Sequence, residues 1–259
     1  MPSCSTGSSR ILANMATYVL IPGADGRAWY WHRLSPLLGQ QGHEVVAVDL
    51  PATDPTAGLE AYAAAITTAI GDRRADLILV AQSLAGFIAP LVAERLPVKL
   101  MILLNAMVPR PGESAGEWWD NTGQAEARAA QYARDGRDLP AEFDPFEAFF
   151  HDVPADVVEE AMAMGEPAVR FDTLFSEPWP LSGWPDVPTR FLQARDDRFL
   201  PLEFQRRVVA ERLGIPVAEM PGGHLVALSR PEALAERLEE LSSLGEDRFK
   251  PPLKALSSE

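Results

Sequence analysis

Ser83, Asp197 and His224 lie far apart in the chain, yet their types match a nucleophile, an orienting acid and a base. A serine hydroxyl is barely ionised near neutrality. It attacks a carbonyl only when an imidazole takes its proton, and a carboxylate keeps that imidazole in the useful tautomer. The chain order Ser, Asp, His, with each residue at the end of an expected strand, is one of the few orders in which this set occurs. The chemistry it would perform is acyl transfer.

The serine sits in "LILVAQSLAGFIAP" (77–90), an aliphatic run broken by a polar pair. With "LILVAQ" read as a strand and "LAGFIAPLVAERL" as a helix, Ser83 falls in a tight elbow. An elbow of this kind strains the serine backbone and needs small residues two before and two after it, which Ala81 and Ala85 supply. It also aims the Leu84 amide at an oxygen beside Ser83, aided by the dipole of the following helix. The competing structural reading is a plain helix N-cap.

Of the four histidines, His224 in "EMPGGHLVALSRPEAL" follows a late strand on a Gly-Gly loop, which frees its ring to swing over the sheet edge. His32 is expected within a helix, His43 in the turn before a strand, and His151 in a helical insertion with a structural role. The acid is expected in "ARDDRFLP", after the strand "TRFLQAR". Adjacent carboxylates point different ways, so only one can orient His224. Asp197, four residues before the helix-opening Pro201, is the choice; Asp196 is the alternative, and a solvated turn pair is the structural reading.

The elements that must position these residues alternate. Short apolar runs at 17–21, 44–50, 76–82, 99–107, 189–195 and 216–220 read as strands, and the longer runs between them, such as "AWYWHRLSPLLGQQG" and "PLEFQRRVVAERLG", read as helices. Strands apolar at nearly every position are covered on both faces. The expected fold class is therefore α/β: a mostly parallel sheet flanked by helices, with ligands at its carboxyl edge. Between residues 108 and 185 the alternation fails and the chain turns helical and aromatic, which suggests a helical cap. The expected organisation is an N-terminal extension over 1–16, a core of 17–107 and 186–244, the cap over 108–185, and a tail over 245–259. In the last helix Ser229 is expected as N-cap, with Pro231 in the first turn.

The 259 residues are 47% hydrophobic and 23% charged, enough for one substantial core. A net charge of −14 repels polyanions, so nucleic acid is not an expected partner. The single cysteine, Cys4, leaves no disulfide framework, and no His-rich spacing suggests a metal. No signal-like or membrane-spanning run stands at the start of the sequence. The expectation is a cytoplasmic protein without cofactor or membrane partner, acting on a small molecule.

At this point the chain resembles the α/β-hydrolase superfamily from about Thr17 to Leu244. "LIPGADGRAWYWHRLSPLLGQQGHEVVAVDLPA" and "GGHLVALSRPEAL" are similar to the branch that holds plant methylesterases and hydroxynitrile lyases. The resemblance implies that the Ala24 amide, after Pro22 and Gly23, is the second oxyanion donor beside Leu84, with Gly23 allowing close approach of the substrate. Pro22 stands where the branch usually has histidine, and Ala81 and Ala85 where it has glycine. Leu225 stands where its lyases carry a cyanide-stabilising lysine, which weakens the lyase reading. Trp118, Trp119 and Phe150 are candidate pocket residues, and they imply a small apolar or aromatic ester. The expected function is a carboxylesterase-type serine hydrolase, the alternatives being a slow or non-catalytic ligand-binding receptor and a hydroxynitrile or C–C lyase.

Overall fold

Alternate residues of each central strand enter opposite faces of one sheet, as the period of two requires. Val19, Ile21, Leu79, Ala81, Met101, Leu103 and Phe191 pack on one face. Tyr18, Leu20, Ile78, Val80, Ile102, Leu104 and Leu192 pack on the other. The computed structural model describes residues 15–165 and 168–244. The expected tail and nearly all of the expected N-terminal extension lie outside those residues.

The strands are β1 (Thr17–Ile21), β2 (Glu44–Ala47), β3 (Leu77–Gln82), β4 (Val98–Leu104), β5 (Thr189–Ala194) and β6 (Val217–Met220). They form a six-stranded sheet in the order β2-β1-β3-β4-β5-β6. Every pairing is parallel. The strand order reverses between β1 and β3, and the crevice at the carboxyl ends near such a switch is where open sheets bind ligands. β1 and β3 are buried along their whole length. The edge strands β2 and β6 are not, contrary to the expectation that every apolar strand is covered on both faces, because each has only one neighbour.

Proline divides two segments expected to be single helices. Residues 28–42 form a 3-10 turn (Ala28–Trp31) and then a helix (Ser35–Gln40) that starts with Pro36 in its first turn. His32 thus lies in a turn rather than a helix, its Nδ1 2.9 Å from the Trp29 carbonyl. After β3 a 3-10 turn (Ser83–Phe87) precedes the helix Ala89–Ala93, where Pro90 cannot donate back to the preceding turn. Near the C-terminus the expected cap is displaced: Ser229 closes a short helix (Val226–Ser229), and Arg230 is the N-cap of Pro231–Ser243.

Between β4 and β5 the described residues carry helices Ala115–Thr122, Gln124–Arg134 and Ala155–Ala163, and a single π-helical turn, Phe146–Phe150. A lone antiparallel bridge joins Ser114 to Pro178. Ser114 caps the first helix in a reciprocal box with Glu117. This segment shares the main core: Trp118, Leu174 and Trp179 belong to the same apolar cluster as Met101 and Phe191.

Candidate functional site

Ser83 leaves β3 with φ at +54°, in the left-handed region that costs a non-glycine residue about 1–2 kcal/mol. Surrounding contacts enforce this strain. The Met107 amide donates to the Ser83 carbonyl at 2.9 Å. Ala81 and Ala85 are fully buried on either side, as the elbow requires. The closest approach falls one residue later, at Gly86, where a Cβ would meet the Met107 carbonyl oxygen at 1.9 Å. Gly23 backs the elbow from the β1 loop; a Cβ there would lie 3.0 Å from Ser83 Cβ and 2.2 Å from Gln82 Oε1. Gln82 rather than Ser83 is the N-cap of the turn, and the Ser83 hydroxyl is turned to another partner.

That partner is His224, whose Nε2 lies 3.1 Å from Ser83 Oγ. On the other side of the ring, Nδ1 lies 2.8 Å from Asp197 Oδ2. Asp197 also accepts the backbone amides of Phe199 and Leu200 on Oδ1, at 2.8 and 2.9 Å, and the side-chain Nε2 of Gln193 on Oδ2 at 3.2 Å. A carboxylate with these donors only accepts, so His224 Nδ1 carries the hydrogen and Nε2 is left as the acceptor for the serine hydroxyl. All three side chains sit in residues less than a tenth exposed, which strengthens each contact. Of the two adjacent acids, Asp196 faces elsewhere: its Oδ2 accepts the Gly222 amide at 3.0 Å.

The loop carrying His224 is clasped from beneath by Asn105, at the end of β4. Its Nδ2 donates to the carbonyls of Gly223 and His224, at 3.3 and 3.1 Å, and its Oδ1 accepts the Ala194 amide at 2.7 Å. Asn105 itself has φ at +46°, a conformation its short polar side chain tolerates. Sequence reasoning passed over it; the one available signal was a polar residue ending the apolar run "KLMILL".

The aromatic residues meet the site differently from expectation. Trp118 is fully buried and its indole donates to the Val108 carbonyl at 3.0 Å, so it packs the core and does not wall a cleft. Trp119 packs on Phe199, 5.5 Å away between ring centres, and is not itself paired with the His224 ring. Phe150 packs on the opposite face of the sheet and on Phe146, at 5.8 Å. Phe149 and Phe199 are the rings against His224, at 5.3 and 5.2 Å. The π-helical turn presents Phe149, and the Asp197 loop presents Phe199. Trp118 and Phe199 could not be ranked from sequence because one-dimensional spacing does not say which aromatic faces inward.

A polar pocket of about 370 Å³ opens beside the acid loop, with Asp196, Asp197, Arg198, His151 and Asp152 in its wall. Ser83 is not part of that wall. Among the described residues, no three His, Cys, Asp or Glu side chains converge as metal ligands. No helix among them is long and apolar enough to cross a membrane.

The fold, the elbow and the order of strands agree with a match over residues 18–237 to the model of the alpha/beta hydrolase family. The chain belongs to that family. It is 28% identical over 244 residues to a pyrethroid hydrolase of Sphingobium wenxiniae, covering 86% of each chain. It is 25% identical over 250 residues to methylesterase 3 of Arabidopsis thaliana, covering 87% of this chain and 95% of the relative. Polyneuridine aldehyde esterase shares the fold with a TM-score of 0.69 at 20% identity, over 88% of this chain and 100% of the other. The resemblance to the methylesterase branch therefore extends over most of the chain.

Proposed function

We propose that the protein is a serine hydrolase that cleaves carboxylic esters of small apolar or aromatic substrates through an acyl-enzyme. The observation that carries this reading is the continuous chain from Ser83 Oγ through the two nitrogens of His224 to Asp197. Relatives named hydrolase and esterase give independent support for ester chemistry at the level of the family.

In this mechanism Ser83 Oγ attacks the ester carbonyl as His224 Nε2 takes its proton. The amides of Ala24 and Leu84 stabilise the oxyanion, a pair in which one donor is typically worth about a hundredfold or more in rate. Protonated His224 then gives its proton to the departing alkoxide, and the acyl group remains on Ser83. Water, deprotonated by His224, releases the acid and restores the serine. Asp197 holds the ring and stabilises the transient imidazolium. The helical segment between β4 and β5 acts as a cap, with Phe149 and Phe199 forming the apolar surface that receives the substrate.

The test pairs the wild type with Ser83→Ala on a panel of p-nitrophenyl esters, with a fluorophosphonate to label the nucleophile. Loss of turnover and of labelling is the expected result. Undiminished turnover by the alanine variant would overturn the reading, and a wild-type serine that takes no label would favour a ligand-binding receptor.

A further inference from the structure

Two carboxylates from different parts of the chain hold the Gly222–Gly223 pair that precedes His224. Asp196 accepts the Gly222 amide at 3.0 Å, and Asp152 Oδ2 accepts the Gly223 amide at 2.8 Å. Asp196 adjoins the acid of the site. Asp152 does not: it belongs to the inserted segment, two residues beyond the π-helical turn Phe146–Phe150.

The seat is tight. A Cβ on Gly223 would lie 2.6 Å from Asp152 Oδ1 and 2.8 Å from His151 Nε2, so any side chain there would push both of those groups aside. Gly222, with φ at +123°, occupies backbone space that other residues avoid. The carbonyls of Gly223 and His224 are gripped by Asn105 from the sheet, whereas the Gly223 amide is gripped from the inserted segment. The backbone immediately before His224 is thus clamped between the core and the insertion.

We infer that Asp152 is a positioning residue: its hydrogen bond to the Gly223 amide ties the inserted segment to the histidine loop and sets His224 Nε2 against Ser83. The inference rests on the serine-hydrolase reading. Asp152 acts through the loop and touches no reacting atom. What it supplies is an acceptor oxygen at one place, so its charge is dispensable. Asparagine keeps an acceptor oxygen on a side chain of the same length, and alanine removes it.

The full-length protein, with Ser83→Ala, Asp152→Asn and Asp152→Ala, is assayed with p-nitrophenyl acetate and for the rate of fluorophosphonate labelling. Displacing a catalytic group by a fraction of its length costs about tenfold to a hundredfold. Asp152→Ala is expected to lose that much in kcat and in labelling rate, with KM within about twofold of wild type. Asp152→Asn is expected to restore both rates to within about threefold of wild type.

A folded Asp152→Ala protein labelled at the wild-type rate would overturn the inference. So would an asparagine variant as slow as the alanine one, which would assign the effect to charge. Amide exchange of the wild type adds a measurement that no misfolded variant can spoil: slow exchange at Gly223 supports the clamp, and exchange as fast as a free loop overturns it. If Ser83→Ala stays active, the serine reading itself fails; if it is dead while Asp152→Ala is unimpaired, only the role of Asp152 fails.

Discussion

Ser83 Oγ and His224 Nε2 stand 3.1 Å apart although 141 positions separate them in the chain. The serine reaches that place only by adopting φ of +54°. Left-handed strain of about 1–2 kcal/mol exceeds the entropic cost of about 0.5–1 kcal/mol that glycine carries. Ser83→Gly should therefore be inactive yet slightly more stable than wild type, by about 0.5–1 kcal/mol, in a urea titration. A glycine variant less stable than wild type would show that the elbow is not strained.

The two adjacent acids should separate cleanly under substitution. Asp197→Asn replaces an acceptor with a donor beside His224 Nδ1 and reverses the ring's tautomer, which in a related triad costs about 10⁴ in kcat. Asp196→Ala removes only the bond to the Gly222 amide and should cost less than about tenfold. Steady-state kinetics of both variants on one ester decide it; equal losses would mean that the acids share the role.

The sheet was legible because its strands are short aliphatic runs, and the elbow because Ser83 interrupts such a run between alanines. The carboxylate that meets His224 was legible from the loop before Pro201. The breaks at Pro36 and Pro90 were also written in the chain, since proline cannot donate to the preceding turn, yet amphipathic length masked them. Contacts between distant residues were not legible. Gly86 is glycine because of the Met107 carbonyl, and Asp152 matters because of the Gly223 amide; neither partner lies within any local window. The choice among aromatics failed for the same reason: Trp118 found a core and Phe149 found His224.

Phe149 and Phe199 are in contact with each other at 4.8 Å and flank His224. An aromatic acyl group seated there would gain about 0.5–1.5 kcal/mol per ring pair. Phe149→Ala is thus expected to lower the preference for p-nitrophenyl benzoate over acetate, measured as the ratio of kcat/KM, by about threefold to tenfold. An unchanged ratio would place the acyl group elsewhere.

A buried ion pair ties the insertion to the core. Arg212 Nη1 and Nη2 donate to Glu113 at 2.5 and 2.9 Å, with side chains only 2% and 5% exposed. Removing one partner leaves the other charge buried and alone, at a cost of about 3–5 kcal/mol. Arg212→Met should lose about that much stability to urea, whereas Arg212→Met with Glu113→Leu should recover much of it. A double variant no better than the single one would show that hydrogen bonds to the Arg110 amide and Asn121, and not charge, make Glu113 essential.

His151 links stability to pH. Burial, and then the nearby Arg198 charge, hold its imidazole below the ordinary value of 6.5 against the opposing pull of Asp152, the Asp196 carbonyl and Asp197. Below that value the unfolded chain takes up a proton that the folded chain resists, so the unfolded state binds more protons and stability rises with pH. The contribution is present above pH 6.5 and is lost as the pH falls from there toward the folded value. His151→Gln has no such proton to refuse. Thermal melts of wild type and variant between pH 5 and pH 8 should diverge at the acid end, with the wild type losing about one proton's worth of slope more than the variant. Parallel curves would mean that His151 titrates alike in the folded and unfolded chains.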